Sequence, residues 1–144
     1  MDRGKFIYVS YINASADKVW AALIEGEFTR QYWKHEHVVK SWTPGSDWKL
    51  VANDAQGTVK HIGKVVESVP NKRLVLTWGD PADAAYPTLH SRVAIDIESV
   101  DEAVRVPVTH EDLSADMEKR ITRGWPLVLS SLKSFLETGR PVKF

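Results

Sequence analysis

The chain predicts an α+β domain in which one curved antiparallel sheet wraps around a long C-terminal helix. Three observations carry that prediction. Ser114 to Gly139 reads as the one long helix, because Met117, Ile121, Trp125, Val128, Leu132 and Phe135/Leu136 form a single apolar stripe at helical spacing. From residue 36 to residue 110 the apolar period shifts towards two, the mark of half-buried strands. The stripe and the strands each need an apolar partner, and each is the other's only large one. The 144 residues suit one domain, 1–144, with a substantial core.

Phe6, Tyr8 and Ser10 alternate with Ile7, Val9 and Tyr11, a first strand with bulky residues on both faces. Ser15 or Asn13 then caps a short helix whose Val19, Trp20 and Leu23 share one buried face. Gly26 interrupts it, and Glu27 to Trp33 reads as a second short helix with Phe28, Tyr32 and Trp33 turned inward. Val38 and Val39 lead through Trp42 to Thr43-Pro44-Gly45-Ser46, where Pro followed by Gly suits a type II turn.

Trp48, Leu50 and Ala52 form one face of the next strand, and Asn53 to Gly57 turns the chain back. Thr58 to Val69 is strand-like, with Gly63 marking a bend or bulge, and Pro70-Asn71 makes a turn. Leu74, Leu76 and Trp78 alternate with Arg73, Val75 and Thr77. Gly79 to Pro87 is a loop by composition. Ser91, Val93, Ile95 and Ile97 face one way, and Ser99 to Glu102 is a connection. Val104, Val106, Val108 and His110 form the inner face of the last strand. Pro107, on its other face, lacks a ladder donor and argues for an edge position or a bulge.

The long helix has its own punctuation. Ser114 suits the N-cap, Asp116 and Glu118 the first turn, and Gly139 the position after the last turn. Residues 114–137 as a helix run about 36 Å. Pro126 removes the bond to the Thr122 carbonyl, so a kink near 122–126 is expected. Gly124 is expected to let a neighbouring element approach.

Composition removes several function classes. Lys plus Arg and Asp plus Glu both number 19, and no basic stripe is visible, so nucleic acid is not an expected partner. No apolar run reaches the roughly 20 residues that cross a bilayer, so no membrane span is expected. The N-terminal MDRGKFIYVSY lacks the apolar core of a secretory signal. There are no cysteines, which excludes disulfides, thiol nucleophiles and thiolate metal sites and fits a cytoplasmic location.

Three segments carry a resemblance: Val19-Trp20-Ala21-Ala22-Leu23 with Phe28-Thr29-Arg30-Gln31-Tyr32-Trp33; Arg73-Leu74-Val75-Leu76-Thr77-Trp78; and Gly124-Trp125-Pro126 with Leu132 to Gly139. Together they resemble the SRPBCC, or START-like, helix-grip superfamily. Within it they are most similar to the branch named for homologues of the activator of the heat-shock chaperone ATPase. The resemblance implies a sheet of about seven strands gripping the C-terminal helix, with a hydrophobic cavity between them. It implies binding of lipid-like, aromatic or polyketide-like molecules, with cyclase or hydrolase activity in some members. Co-chaperone activity is not expected, because the eukaryotic activator works through additional regions that these residues do not include.

Five histidines are the candidate chemistry, and no HExxH or comparable metal pattern accompanies them. His35 and His37 would point the same way in an extended segment, as a ligand pair or as a solvated loop. His110 ends the inward valine row, where it could contact a ligand, act as a base beside Glu111, or be satisfied by the backbone. His61 shares a face with Val59, Gly63 and Val65 and needs a polar partner there, either a ligand oxygen or a residue such as Tyr32. His90 is expected to be solvated, and Asp80 and Asp83 to sit in a flexible loop. Arg92, Asp96, Glu98 and Arg105 are expected to form cross-strand ion pairs on the outer face.

Trp20 and Trp125 fit helix core positions, while Trp33, Trp42, Trp48 and Trp78 could line a pocket. The expected function is binding of an apolar small molecule, as a monomer or homodimer, without a cofactor, metal or assigned catalytic residue. The expected ligand-binding residues are Trp33, Trp48, His61, Trp78, Val93, Val108, His110 and Trp125. The alternative is a hydrolase or cyclase using His110, Glu111 or His61, and a protein-interaction module is the third reading.

Overall fold

The computed structural model describes residues 3–144. Strand β1 (Gly4–Ile12) is followed by helices α1 (Ala16–Ile24) and α2 (Gly26–Tyr32). The chain then runs through β2 (His35–Val39), β3 (Asp47–Ala52), β4 (Val59–Val69) and β5 (Arg73–Trp78). β6 (Ser91–Asp96), β7 (Glu98–Val100) and β8 (Ala103–Leu113) complete the sheet before helix α3 (Ala115–Thr138). The strands pair antiparallel in the order β1-β8-β6-β5-β4-β3-β2, with β7 also on β8. This is the helix-grip arrangement: a curved sheet holding one long helix.

The eighth strand lies where a plain connection was expected. Asp101 takes a positive φ of 54° and folds Glu98–Val100 back onto Ala103–Arg105 as a tight hairpin. Pro107 corrects a second expectation. Its strand is interior, but the residue falls between the pairs Ile95↔Val108 and Glu98↔Arg105, where the β6–β7 side of the ladder is interrupted. The missing N–H therefore coincides with a gap in pairing.

Gly63 makes no bulge. The irregularities of β4 fall instead between Leu50 and Val51 of its β3 partner and between Val65 and Glu67. What Gly63 supplies is space, since a Cβ there would stand 2.0 Å from the Thr77 carbonyl oxygen and 2.7 Å from Trp48 Nε1. That clearance lets the Trp48 indole N–H donate to Thr77 O at 2.9 Å. The turn at Thr43–Ser46 forms as expected, with Gly45 at φ 92° and Ser46 N–H donating to Thr43 O.

Alternation decides the core. Ile12, Leu50, Val65, Leu74, Leu76, Val93, Ile95, Val104, Val106 and Val108 are buried, and α3 closes over them with Met117, Ile121, Trp125, Val128, Leu129 and Leu132. The helix is capped at both ends. Ser114 Oγ accepts from Met117 N–H at 3.1 Å, and Gly139, at φ 80°, donates its N–H to Phe135 O. It runs from Ala115 to Thr138 straight through Pro126 without losing helical assignment.

Ser131, buried inside α3, bonds Tyr32 O at 2.6 Å and accepts from Val142 N–H at 3.1 Å. It joins α2, α3 and the C-terminal tail. Of the expected outer-face pairs, Arg105–Glu98 forms at 2.6 Å, whereas Asp96 pairs with Arg73 at 2.8 Å.

Candidate functional site

Three tryptophans from distant parts of the chain meet between the sheet and α3. Trp33 ends α2, Trp78 ends β5, and Trp125 sits midway along α3. Trp33 and Trp78 stack at 6.2 Å with planes 13° apart, and Trp125 lies 5.4 Å from Trp33 and 5.6 Å from Trp78. Beside them opens a cleft of about 320 Å³, with Met117, Ile121 and Val128 of α3 as its apolar wall. Gly124 also faces it, and a Cβ there would meet nothing within 4 Å. The expected close approach at Gly124 is therefore replaced by open volume, because the helix turns this residue towards the cleft.

The polar groups of the cleft are His35, Lys60, His61 and Arg120. His35 is held locally, its Nδ1–H donating to Trp33 O at 2.9 Å. His61 packs its ring 4.6 Å from Trp78, and its Nδ1 lies buried, without a hydrogen bond, 3.8 Å from Asp80 Oδ1. Burial pushes the His61 pKa down to about 4, with Asp80 opposing and Arg120, across the same gap, reinforcing that fall. Arg120 forks onto both Asp80 oxygens at 3.1 and 2.8 Å and reaches Asp116 at 3.2 Å. That fork ties the loop after β5 to α3 and holds the Asp80 carboxyl below its ordinary pKa.

Behind the cleft runs a hydrogen-bonded chain whose polarity is determined. The Trp125 indole can only donate, so its 3.0 Å bond makes His110 Nδ1 the acceptor. His110 therefore carries its proton on Nε2 and donates it to Ser91 Oγ at 2.7 Å. Ser91 in turn donates to Trp78 O at 2.9 Å. Both imidazole nitrogens are committed, and burial pushes the His110 pKa down to about 3. Glu111 faces the opposite side of β8, across from Arg92, so the His110–Glu111 pair does not meet.

His37 is a second buried imidazole. It donates from Nδ1 to Leu23 O at 2.8 Å, and Trp33, Trp42 and Trp48 present their rings to it at 5.1, 5.6 and 5.9 Å. Its Nε2 is buried without a partner, and burial lowers its pKa to about 4.

A profile of the family described as "Activator of Hsp90 ATPase homolog 1-like protein" matches residues 13–137. The chain belongs to this family. Among solved structures it is similar to the Aha1 dimer from Colwellia psychrerythraea, at 22% identity and TM-score 0.76, covering 94% of this chain and 98% of that one. It is similar to CalU16 from Micromonospora echinospora at 20% identity and TM-score 0.75, covering 95% and 78% of the two chains. ChR145 from Cytophaga hutchinsonii gives 22% identity and TM-score 0.76, over 96% and 97%. No curated protein matches. At these identities the structures share the helix-grip fold, and family membership alone assigns no chemistry to the cleft.

In this member of the family, four of the eight residues singled out from sequence line the cleft: Trp33, His61, Trp78 and Trp125. Trp48, Val93 and Val108 are core residues, and His110 stands one layer behind Trp78 and Trp125. Tyr32 does not partner His61, since its hydroxyl donates to Ala22 O at 2.8 Å. The expected solvated loop at His35 and His37 is strand β2, with His37 buried. His90 is folded onto the loop before it, Nε2 bonding Asp83 O at 2.9 Å, rather than solvated. Among the described residues no cluster of three or more potential ligands could hold a metal ion.

Asp80 and Arg120 are the site residues that sequence reasoning missed. Arg120 is one helical turn from the stripe residue Ile121's predecessor Met117, and Asp80 follows directly on Trp78-Gly79. A charged residue flanking each predicted lining tryptophan strand or helix was the only available signal.

Proposed function

We propose that this protein binds a compact apolar small molecule, aromatic or polyketide-like, in the cleft between the sheet and α3. The observation that carries the reading is the wall of three mutually packed tryptophans beside a polar edge of His61, Lys60 and Arg120. Large rigid aromatic faces give contact area at low entropy cost, and a few polar groups orient the guest. The superfamily to which the fold belongs is one of small-molecule binders, which supports the same reading. A cysteine-free sequence supports a cytoplasmic location.

Native mass spectrometry of gently purified protein, with extraction of anything retained, tests it. Titration with the neutral fluorophore N-phenyl-1-naphthylamine, read by quenching of tryptophan emission, provides a second test. Stoichiometric retention or saturable quenching is expected. A protein that retains nothing and leaves the probe unquenched would sink the reading.

A second reading is supported by one observation, the placement of Asp80 3.8 Å from His61 Nδ1. A carboxylate there orients an imidazole as a general base, so ester hydrolysis in the cleft is the reaction to assay. Loss of any such activity in His61→Gln is the expected result. Homodimerisation is also proposed: the Colwellia psychrerythraea structure is described as a dimer, and β1 and β2 are open sheet edges among the described residues. Analytical ultracentrifugation decides it.

A further inference from the structure

The reading developed here rests on the binding function just proposed. We propose that the guest of the cleft is a fused-ring aromatic carboxylic acid, whose carboxylate shares a proton with His61 Nε2.

The shape of the site argues for a compact ring system. A volume of about 320 Å³ stands at the lower end of the roughly 300–1,000 Å³ typical of small-molecule sites. It suits a fused-ring molecule better than an extended acyl chain. Trp33 and Trp78 already stack on one another at 6.2 Å, which leaves no slot between them. A guest ring therefore lies against the wall they form with Trp125.

The polar edge argues for an acid that brings its proton with it. His61 Nδ1 is buried and unbonded, whereas Nε2 has no protein partner and is not sealed off, so it opens on the cleft. A bond at Nε2 settles the ring's tautomer and places Nδ1–H towards Asp80, where closing the 3.8 Å gap by about 1 Å completes a hydrogen bond. A bare carboxylate finds little unspent charge here. Arg120 is engaged by Asp80 and Asp116, and Lys60 is exposed. The charged and titratable groups around His61 are Asp80 on the loop, Arg120 on α3, His35 on β2, Lys60 beside it and His110 behind it.

Of these, Asp80 alone favours the imidazolium. Adding the guest's carboxylate on the Nε2 side puts His61 between two anions, and the ring then takes a proton from solvent. No covalent bond to the guest forms or breaks. A neutral molecule of the same outline fits the tryptophan wall but recruits no proton.

Isothermal titration of the full chain with 2-naphthoate and with neutral 2-naphthamide, near pH 6 in phosphate and in bis-Tris, counts that proton. Buffers of different ionisation enthalpy give different heats only where protons are exchanged. The expected result is uptake approaching one proton for 2-naphthoate and none for 2-naphthamide. Naphthoate affinity is expected to fall, by up to about tenfold per unit, as the pH rises from about 5.5 to 7. His61→Gln, once shown to unfold cooperatively, should lower the naphthoate-to-naphthamide affinity ratio about tenfold.

Naphthoate binding without proton uptake, or an unchanged ratio in His61→Gln, would overturn the acid proposal. So would tight binding of naphthamide with none of naphthoate. Each of these leaves the binding function intact. If neither compound binds and N-phenyl-1-naphthylamine also fails, the binding function falls and the acid proposal with it.

Discussion

Acidification from about pH 7 to about pH 5 is expected to cost this protein about 6 kcal/mol of folding free energy. His37 and His61 have pKa values pushed down to about 4, and His110 to about 3, all chiefly by burial. In the unfolded chain each returns to the ordinary histidine value of about 6.5. Between those limits the unfolded state binds protons that the folded state refuses, so stability falls as pH falls. It is fully present above about pH 6.5 and is lost progressively down to about pH 4. At about pH 5 each histidine contributes a loss of about 2 kcal/mol, and three such losses are comparable with a total stability of about 5–15 kcal/mol.

The reason for the resistance is structural. His110 Nδ1 faces the Trp125 N–H, which has no lone pair to accept a second proton's bond, and His37 is enclosed by three indoles. Urea unfolding followed by tryptophan fluorescence at half-unit pH steps measures the slope. A folding free energy that stays flat or rises on going from about pH 6.5 to pH 5 would refute the assignment of neutral buried imidazoles.

Two glycine substitutions should act in opposite directions. Gly63→Ala is expected to cost about 3 kcal/mol or more, because its Cβ would strike the Thr77 carbonyl at 2.0 Å. Gly124→Ala should stabilise the apo-protein by up to about 1 kcal/mol through helix propensity, since its Cβ meets nothing; both are read from chemical denaturation midpoints. Ser91→Ala leaves the His110 N–H and the Trp78 carbonyl without their partner, at a cost of about 1–3 kcal/mol in the same assay. Asp80→Asn should lower the His61 pKa further and Arg120→Met should raise it, because these neighbours act on it with opposite sign. Histidine ring NMR titration resolves the two, and shifts in the same direction would count against the proposed electrostatics.

The long helix was legible because its signals are local. The stripe from Met117 to Leu132, the Ser114 cap and the Gly139 stop all depend on residues within a few turns of one another. The inward row Val104–Val106–Val108–His110 was legible for the same reason, since alternation along one strand needs no knowledge of its neighbour. What the row did not reveal was that both nitrogens of His110 are taken. Its partners Ser91 and Trp125 lie 19 and 15 residues away, one on another strand and one on the helix.

The polar edge of the cleft was hidden in the same way. Asp80 and Arg120 are 40 residues apart and read singly as a loop acid and a solvated helix base. Gly63 read as a bend, when its function is to make room for an indole 15 residues earlier in the chain. By itself the sequence determined the order of elements, the stripe, the faces of the strands and the family, because backbone periodicity and capping are short-range. Which tryptophans face a cleft and which fill the core was decided only by tertiary structure, as was the pairing of His61 with Asp80 rather than Tyr32. Those outcomes depend on sheet register and on where α3 comes to rest, and they are settled by contacts between side chains that no local pattern couples.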